Sequence, residues 1–258
     1  MKTLSQILRL LVLTSLMAMA QAQEVSIPDP GLNAAIRDAL QKPAGPLMEQ
    51  DLLSLVNLYA CCRGVRSLEG LEAAHNLATL DLSANQLTSF TLPTGLTSLT
   101  TLVLGGNQLT NFSFLSGLTN LTTLYLDNNQ LTNLTLPAGL TSLTELLLEN
   151  NPLTTFVLPE PLAVTSLAGT IASLRSRGVS VYTYPLAVSL VSPQRTLAGA
   201  FSFTLIGPPA AYTIFNSPDL AAWNELGTLT NALGAAAFTD AEATNSSLKF
   251  YRATARLP

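Results

Sequence analysis

Apolar positions recur along the middle of the chain at fixed intervals. Leu77, Leu80, Leu82 and Leu87 frame Asn85, and the same spacing returns at Leu99, Leu102, Leu104, Asn107 and Leu109, at Leu121, Leu124, Leu126, Asn129 and Leu131, and at Leu143, Leu146, Leu148, Asn151 and Leu153. The four asparagines stand 22 residues apart. An L-x-x-L-x-L-x-x-N-x-L unit at a constant period predicts one coil of a stacked ribbon, with a short strand at Leu80-x-Leu82 and its equivalents. One coil cannot bury its own leucines, so the core closes only when neighbours cover it above and below. Each fully buried Leu contributes roughly 1.5–3 kcal/mol before chain entropy is subtracted. The asparagines end the strands, where their amides can bond backbone groups that the bend leaves unpaired; leaving such groups buried without partners costs about 1–3 kcal/mol each.

Outside these units the pattern changes. Phe90 to Leu96 and Leu134 to Leu140 alternate apolar and polar residues before a Pro/Gly turn, so the returning side of the coil should be strand and turn, with Phe90 and Leu92 pointing inward. Upstream, Leu32, Ile36, Ala39 and Leu40 fall on one face of a helix over residues 27–40, and a second short helix fits Glu49 to Leu55. Leu55 to Val65 then reads as a degenerate coil with Arg63 where Asn is expected. Downstream, Leu167, Ile171 and Leu174 mark a helix within residues 162–177, Gly178 stops it, and Val179 to Tyr184 alternates as a strand. From Leu186 the period is lost. Short β-rich runs at 188–191, 201–206, 212–216, 223–229 and 250–255, punctuated by Gly207-Pro208-Pro209 and Ser217-Pro218-Asp219, predict a small sandwich.

The four full units resemble the leucine-rich repeat, and the cap with its degenerate coil resembles the amino end of internalin-like bacterial repeat proteins. Ser217-x-Asp219-Leu220-x-x-Trp223, Phe238-Thr239-Asp240 and Phe250-Tyr251-Arg252 are similar to a short carboxy-terminal module of secreted bacterial proteins, which brings no assigned chemistry. The expected fold is α/β but mainly β: a leucine-rich-repeat solenoid with helical caps at both ends, followed by a small all-β sandwich-like domain. The expected boundaries are a signal peptide at 1–22, the amino-terminal cap and degenerate repeat at 23–76, four full repeats at 77–158, the carboxy-terminal cap at 159–185 and the β module at 186–258.

Composition narrows the partners. Hydrophobic residues make up 48% of the 258 and charged ones 11%, too apolar a balance for a disordered chain. The net charge is −4, and no Lys or Arg occurs between Arg66 and Arg175, which argues against a nucleic-acid surface. Lys2 and Arg9 precede the apolar run Leu10 to Ala20, which ends in the small residues of Ala18-Met19-Ala20-Gln21-Ala22, the order of an export signal too short to span a bilayer. No later segment reads as a transmembrane helix, so the chain is expected to be secreted or held at the cell surface. Export would place Cys61 and Cys62 where disulfides form. Adjacent Cα atoms are closer than a relaxed bridge prefers, so the pair reads as two thiols with one packed inward, a vicinal disulfide or an intermolecular link being the alternatives.

Catalytic chemistry is sparse. His75 is the single histidine and has no marked partner, and neither a phosphate-cradling loop nor a helix-borne zinc motif occurs, so no catalytic residue, metal or cofactor is expected. Strand alternation does present a surface: Asn57, Tyr59 and Cys61; Thr79, Asp81 and Ser83; Thr101, Val103 and Gly105; Thr123, Tyr125 and Asp127; Glu145, Leu147 and Glu149. This concave face carries four carboxylates, two tyrosines and no base. It suits a basic or mixed protein patch, or a glycan, with Tyr59 and Tyr125 as anchors. The alternatives are a solvated sheet whose charges only aid solubility, and a structural surface or matrix component that self-associates or is tethered through its carboxy-terminal module. Asn85, Asn107, Asn129 and Asn151 read as structural.

Overall fold

A computed structural model of the chain describes residues 23–89, 91–197, 199–245 and 248–256. The expected signal segment and Phe90 lie outside the described residues. The fold is mainly β with few helices, and the chain divides into two compact units, one holding residues up to Leu131 together with Ser142–Pro152, the other Thr132–Thr141 together with the chain from Leu153.

The first unit begins with Glu24 bridged to Met48 and continues into α1 (Pro30–Leu40). Asp29 caps this helix: its Oδ1 accepts from the Leu32 N–H at 2.9 Å, while Oδ2 accepts from the N–H groups of Arg66 and Ser67 at 2.8 and 3.2 Å. One carboxylate thus starts a helix and holds the loop after the degenerate coil. Burial outlines a narrower face than expected, made of Leu32, Ala35 and Ile36, with Ala39 exposed. The helix ends at Leu40 on a left-handed Gln41 (φ 52°), so its last turn leaves the packed surface. A Cβ on Gly31 would run into the Arg63 carbonyl, which is how closely α1 approaches the first bend. α2 (Glu49–Leu53) follows and buries Leu52.

Five three-residue strands then pair in parallel in one sheet, in the order β1 (Asn57–Tyr59), β2 (Thr79–Asp81), β3 (Thr101–Val103), β4 (Thr123–Tyr125) and β6 (Glu145–Leu147). Their register joins Leu58, Leu80, Leu102, Leu124 and Leu146, each one period apart, and all five are buried. After each strand the chain bends through a left-handed residue at the same place in the repeat: Cys62, Ala84, Gly106, Asn128 and Asn150, with φ between 51° and 69°. Asparagine locks the bend. Asn107 Nδ2 donates to the carbonyls of Leu104 in its own coil (2.9 Å) and Leu82 in the preceding one (3.0 Å), and its Oδ1 accepts from Leu87 N–H at 3.1 Å. Asn85, Asn129 and Asn151 repeat this pattern and all four are buried, so the side chain replaces backbone pairing lost at the turn.

The return path is less regular than the alternation suggests. Thr91–Leu96 carries no strand, only a turn at Thr94 and Gly95, and a 3-10 turn occupies Ser113–Gly117. Leu92 and Leu96 are buried all the same, because inward spacing needs only extended backbone and not a paired neighbour.

In the second unit β5 (Asn133–Thr135), β7 (Thr155–Pro159) and β8 (Ser180–Tyr184) form a separate parallel sheet. The expected downstream helix is two pieces, α3 (Glu160–Ala163) and α4 (Ala168–Ser176), with Leu167, Ile171 and Leu174 buried as their spacing requires. Tyr184 is fully buried and its hydroxyl donates to the Leu136 carbonyl at 2.6 Å. Beyond it stand two three-stranded antiparallel sheets, β9 (Ser189–Arg195), β10 (Phe201–Ile206) and β13 (Ala235–Asp240) in one, β11 (Ala210–Ser217), β12 (Asn224–Asn231) and β14 (Phe250–Ala255) in the other. Phe203, Leu205, Tyr212 and Ile214 make their common core, flanked by Leu190, Leu229, Phe238 and Tyr251. Among the described residues no helix is long and apolar enough to cross a membrane.

Candidate binding face

The parallel sheet turns alternate side chains outward, and its register sorts them into columns: Asn57, Thr79, Thr101, Thr123 and Glu145 in one, Tyr59, Asp81, Val103, Tyr125 and Leu147 in the next. Cys61, Ser83, Gly105, Asp127 and Glu149 follow two residues further along each coil. Tyr59 is the most open of the large apolar-bodied side chains here, at 63% exposure; Glu145 and Glu149 are exposed too. Thr79, Asp81, Ser83, Thr101, Val103, Thr123, Tyr125, Asp127 and Leu147 are half-buried.

Local bonds fix the acidic groups. Asp81 Oδ1 accepts from the Ser83 N–H and hydroxyl at 2.8 and 2.6 Å. The Tyr125 hydroxyl donates to Glu145 Oε1 at 2.7 Å, and this bond to a carboxylate raises the phenol above its ordinary pKa, with desolvation adding to the effect. Asn128 Nδ2 donates to Asp127 Oδ2 at 2.6 Å. Gly105 makes room for that carboxylate, since a Cβ there would stand 2.7 Å from Asp127 Oδ1. Glu149 Oε2 accepts from the Leu148 N–H at 3.1 Å. In the three preceding coils the equivalent N–H groups, of Leu82, Leu104 and Leu126, donate to the next strand. Each carboxylate therefore has a neutral donor beside it, and none belongs to an ion pair among the described residues, whose salt bridges join Lys42 to Asp51, Arg63 to Asp38, Lys249 to Asp240 and Arg256 to Glu225. The face is an oriented, uncompensated negative surface with two aromatic bodies on it.

At its amino-terminal end Cys61 and Cys62 are joined to each other. The expectation of two thiols is corrected here. Extended backbone would send consecutive side chains to opposite faces, but the left-handed residue Cys62 (φ 62°) interrupts that alternation. His75 lies apart from the face, with Nδ1 3.4 Å from the Gly95 carbonyl. It borders a cleft of about 590 Å³ whose other titratable groups are Glu24, Glu49, Glu69 and Glu72. The sequence pattern did not reveal this cleft, because residues 23–26, which line it and of which Glu24 is bridged to Met48, lie outside the periodic part of the chain. Trp223 is half-buried under the Arg252 guanidinium, 4.3 Å from the ring, so its face is covered. Among the described residues no three His, Cys, Asp or Glu side chains stand close enough together to hold a metal ion.

The family model described as Leucine Rich repeats (2 copies) matches residues 75–117 and 119–163. These residues are leucine-rich repeats. The chain is similar to three internalins of Listeria monocytogenes of known structure. With internalin InlF the identity is 23%, covering 61% of this chain and 56% of that one (TM-score 0.41). With internalin C2 it is 32%, covering 56% and 84% (TM-score 0.40). With the functional domain of InlJ it is 29%, covering 52% and 30% (TM-score 0.47). The chain thus spans little more than half the length of the InlF structure. No curated protein matches it. In leucine-rich-repeat terms the candidate face is the strand side of the repeats and the asparagines are the repeat's own bend residues.

Proposed function

We propose that this is an exported, non-catalytic binding protein whose concave repeat face recognises a partner protein through a basic or mixed patch. One observation carries the reading: a five-strand sheet and the bends that follow it hold Asp81, Asp127, Glu145 and Glu149 in fixed orientations with no base among the outward positions, beside the open ring of Tyr59 and the half-buried ring of Tyr125. Unbalanced charge of one sign steers and orients an oppositely charged partner, and aromatic side chains supply most of the contact energy. The basic start, apolar core and small-residue end of residues 1–22 support export. On this reading the repeats form a solenoid, residues 23–76 and 159–185 are its cap segments in the sequence, and residues 186–258 are a sandwich-like module.

Proximity labelling of the exported protein on its own cells would name the partner, and the affinity of that partner for Tyr125→Ala and Glu145→Lys variants tests the face. Each substitution should weaken binding about tenfold or more, the equivalent of about 1.4 kcal/mol. Unchanged affinity in both variants places the site elsewhere.

A further inference from the structure

A disulfide stabilises a fold chiefly by closing a long loop in the unfolded chain. Cys61 and Cys62 are consecutive, so their bond closes almost none. Nor does the bend depend on it. The left-handed position that Cys62 occupies is filled by Ala84, Gly106, Asn128 and Asn150 in the following coils, which reach the same φ with no cross-link. Ladder bonds hold it instead: Ala60 N–H donates to the Asp81 carbonyl at 2.8 Å, Cys62 N–H to the Ser83 carbonyl at 3.1 Å, and the N–H groups of Arg63 and Val65 to Asn85 Oδ1 at 3.2 and 2.9 Å. The bond is also accessible, since Cys62 is exposed and Cys61 half-buried.

A covalent link that is redundant for the fold and open to solvent is suited to reaction. We propose that Cys61–Cys62 is a thiol–disulfide exchange site at the amino-terminal end of the repeat sheet, opened by a dithiol under native conditions while the repeats stay folded. A thiolate of the dithiol attacks Sγ of Cys62, the more exposed residue of the two; the S–S bond breaks and Cys61 leaves as a thiolate. The second thiolate of the reagent then attacks its own sulfur in the mixed disulfide and releases Cys62. Two electrons pass from the dithiol, which becomes a disulfide, to the cysteine pair, which takes up the two protons. The proposal does not depend on what the concave face binds.

The test uses the purified full chain with dithiothreitol as the dithiol, no denaturant, iodoacetamide quenching, and intact mass with circular-dichroism melting as readouts. Two alkyl groups should be added to Cys61 and Cys62, and the reduced protein should melt within about 4 °C of the oxidised one. Modification that requires denaturant, or a melting midpoint that falls by more than that on reduction, overturns the proposal. A Cys61→Ser, Cys62→Ser double variant separates the bond from the reagent: it should melt like the reduced wild type and take no label. A double variant that fails to fold would show that the bond is structural.

Discussion

The repeat sheet and the carboxy-terminal pair of sheets are both β and both built on a buried apolar core, yet they are held by opposite strategies. In the repeats one solution is used again and again: a leucine in register with the next, a left-handed bend, an asparagine bonding the coil before it. In the carboxy-terminal sheets each tie occurs once. Asp240 accepts from Lys249 Nζ at 3.1 Å, Tyr251 hydroxyl at 3.0 Å and Glu242 N–H at 3.0 Å; Arg252 lies over both Trp223 and Phe215; the Tyr212 hydroxyl donates to the Pro208 carbonyl at 2.7 Å. Redundancy makes the first region readable from its period and leaves its outward positions free to vary. Uniqueness makes the second depend on a few side chains that no period announces.

The sharpest way to break the comparison is a charge in the shared core. Leu102 has no measurable exposure and its neighbours in register are Leu80 and Leu124. Leu102→Asp buries a carboxylate without a partner and should destabilise the repeats by about 4 kcal/mol or more, read as the loss of a cooperative far-ultraviolet transition. Unaltered melting would mean that the stacked leucines are not a common core. Asn107→Ala is the next step down. It strips the Leu87 N–H and the Leu82 and Leu104 carbonyls of a partner and should cost about 3 kcal/mol, the same as any other rung of the ladder if the rungs are equivalent.

The other region has its own reporter, because Trp223 is the one tryptophan of the chain. Asp240→Asn keeps the shape but removes the charge that Lys249 and Tyr251 engage, and should cost about 2 kcal/mol, seen as an earlier Trp223 fluorescence transition. Its pH dependence has a definite sign. Burial alone pushes Asp240 up, but the Lys249 and Tyr251 contacts outweigh it and hold the carboxyl below the ordinary 3.8. The folded state therefore releases this proton more readily than the unfolded one. The contribution is complete above pH 3.8 and fades as pH falls through the lower folded value, and the Asn variant should lose that part of the acid sensitivity. Asp29 in the first unit has the same sign: burial raises it, and the N–H groups of Leu32, Arg66 and Ser67 win.

The same contrast decides what could be read from the sequence. The x-L-x-L strands, the asparagine ladder, and the inward Leu167, Ile171 and Leu174 follow from spacing alone, and the outward columns follow from the strands. β13 does not stand out as a strand in the sequence because Ala235-Ala236-Ala237 has little intrinsic preference for one; it is a strand through its pairing with Phe201–Ile206. Alternation at Thr91–Leu96 implied a strand that is not there, since alternation reports which side is buried and not whether a neighbour offers hydrogen bonds. Bonds between adjacent sulfurs and the acidic cleft beside His75 depend on a bend angle and a terminal bridge, neither of which has a period.

The smallest effect is also the one that tests equivalence of the coils most directly. The left-handed bend holds Gly106, Asn128 and Asn150, residues that adopt it readily, but also Ala84, for which φ 51° is unfavourable because its Cβ crowds the following carbonyl. If the repeat and not the residue imposes this conformation, Ala84 carries a conformational cost that its neighbours avoid. Ala84→Gly should then raise stability by about 1 kcal/mol despite glycine's freer unfolded chain, while Gly106→Ala should lower it by about the same amount. The Gly106 change is a fair mirror image because a Cβ there meets nothing nearer than Ala84 at 3.4 Å, so any loss reports backbone conformation and not a clash. A pair of melting curves displaced in opposite directions would show that the ladder dictates the bend at every rung; two curves displaced the same way would show that each coil finds its own turn.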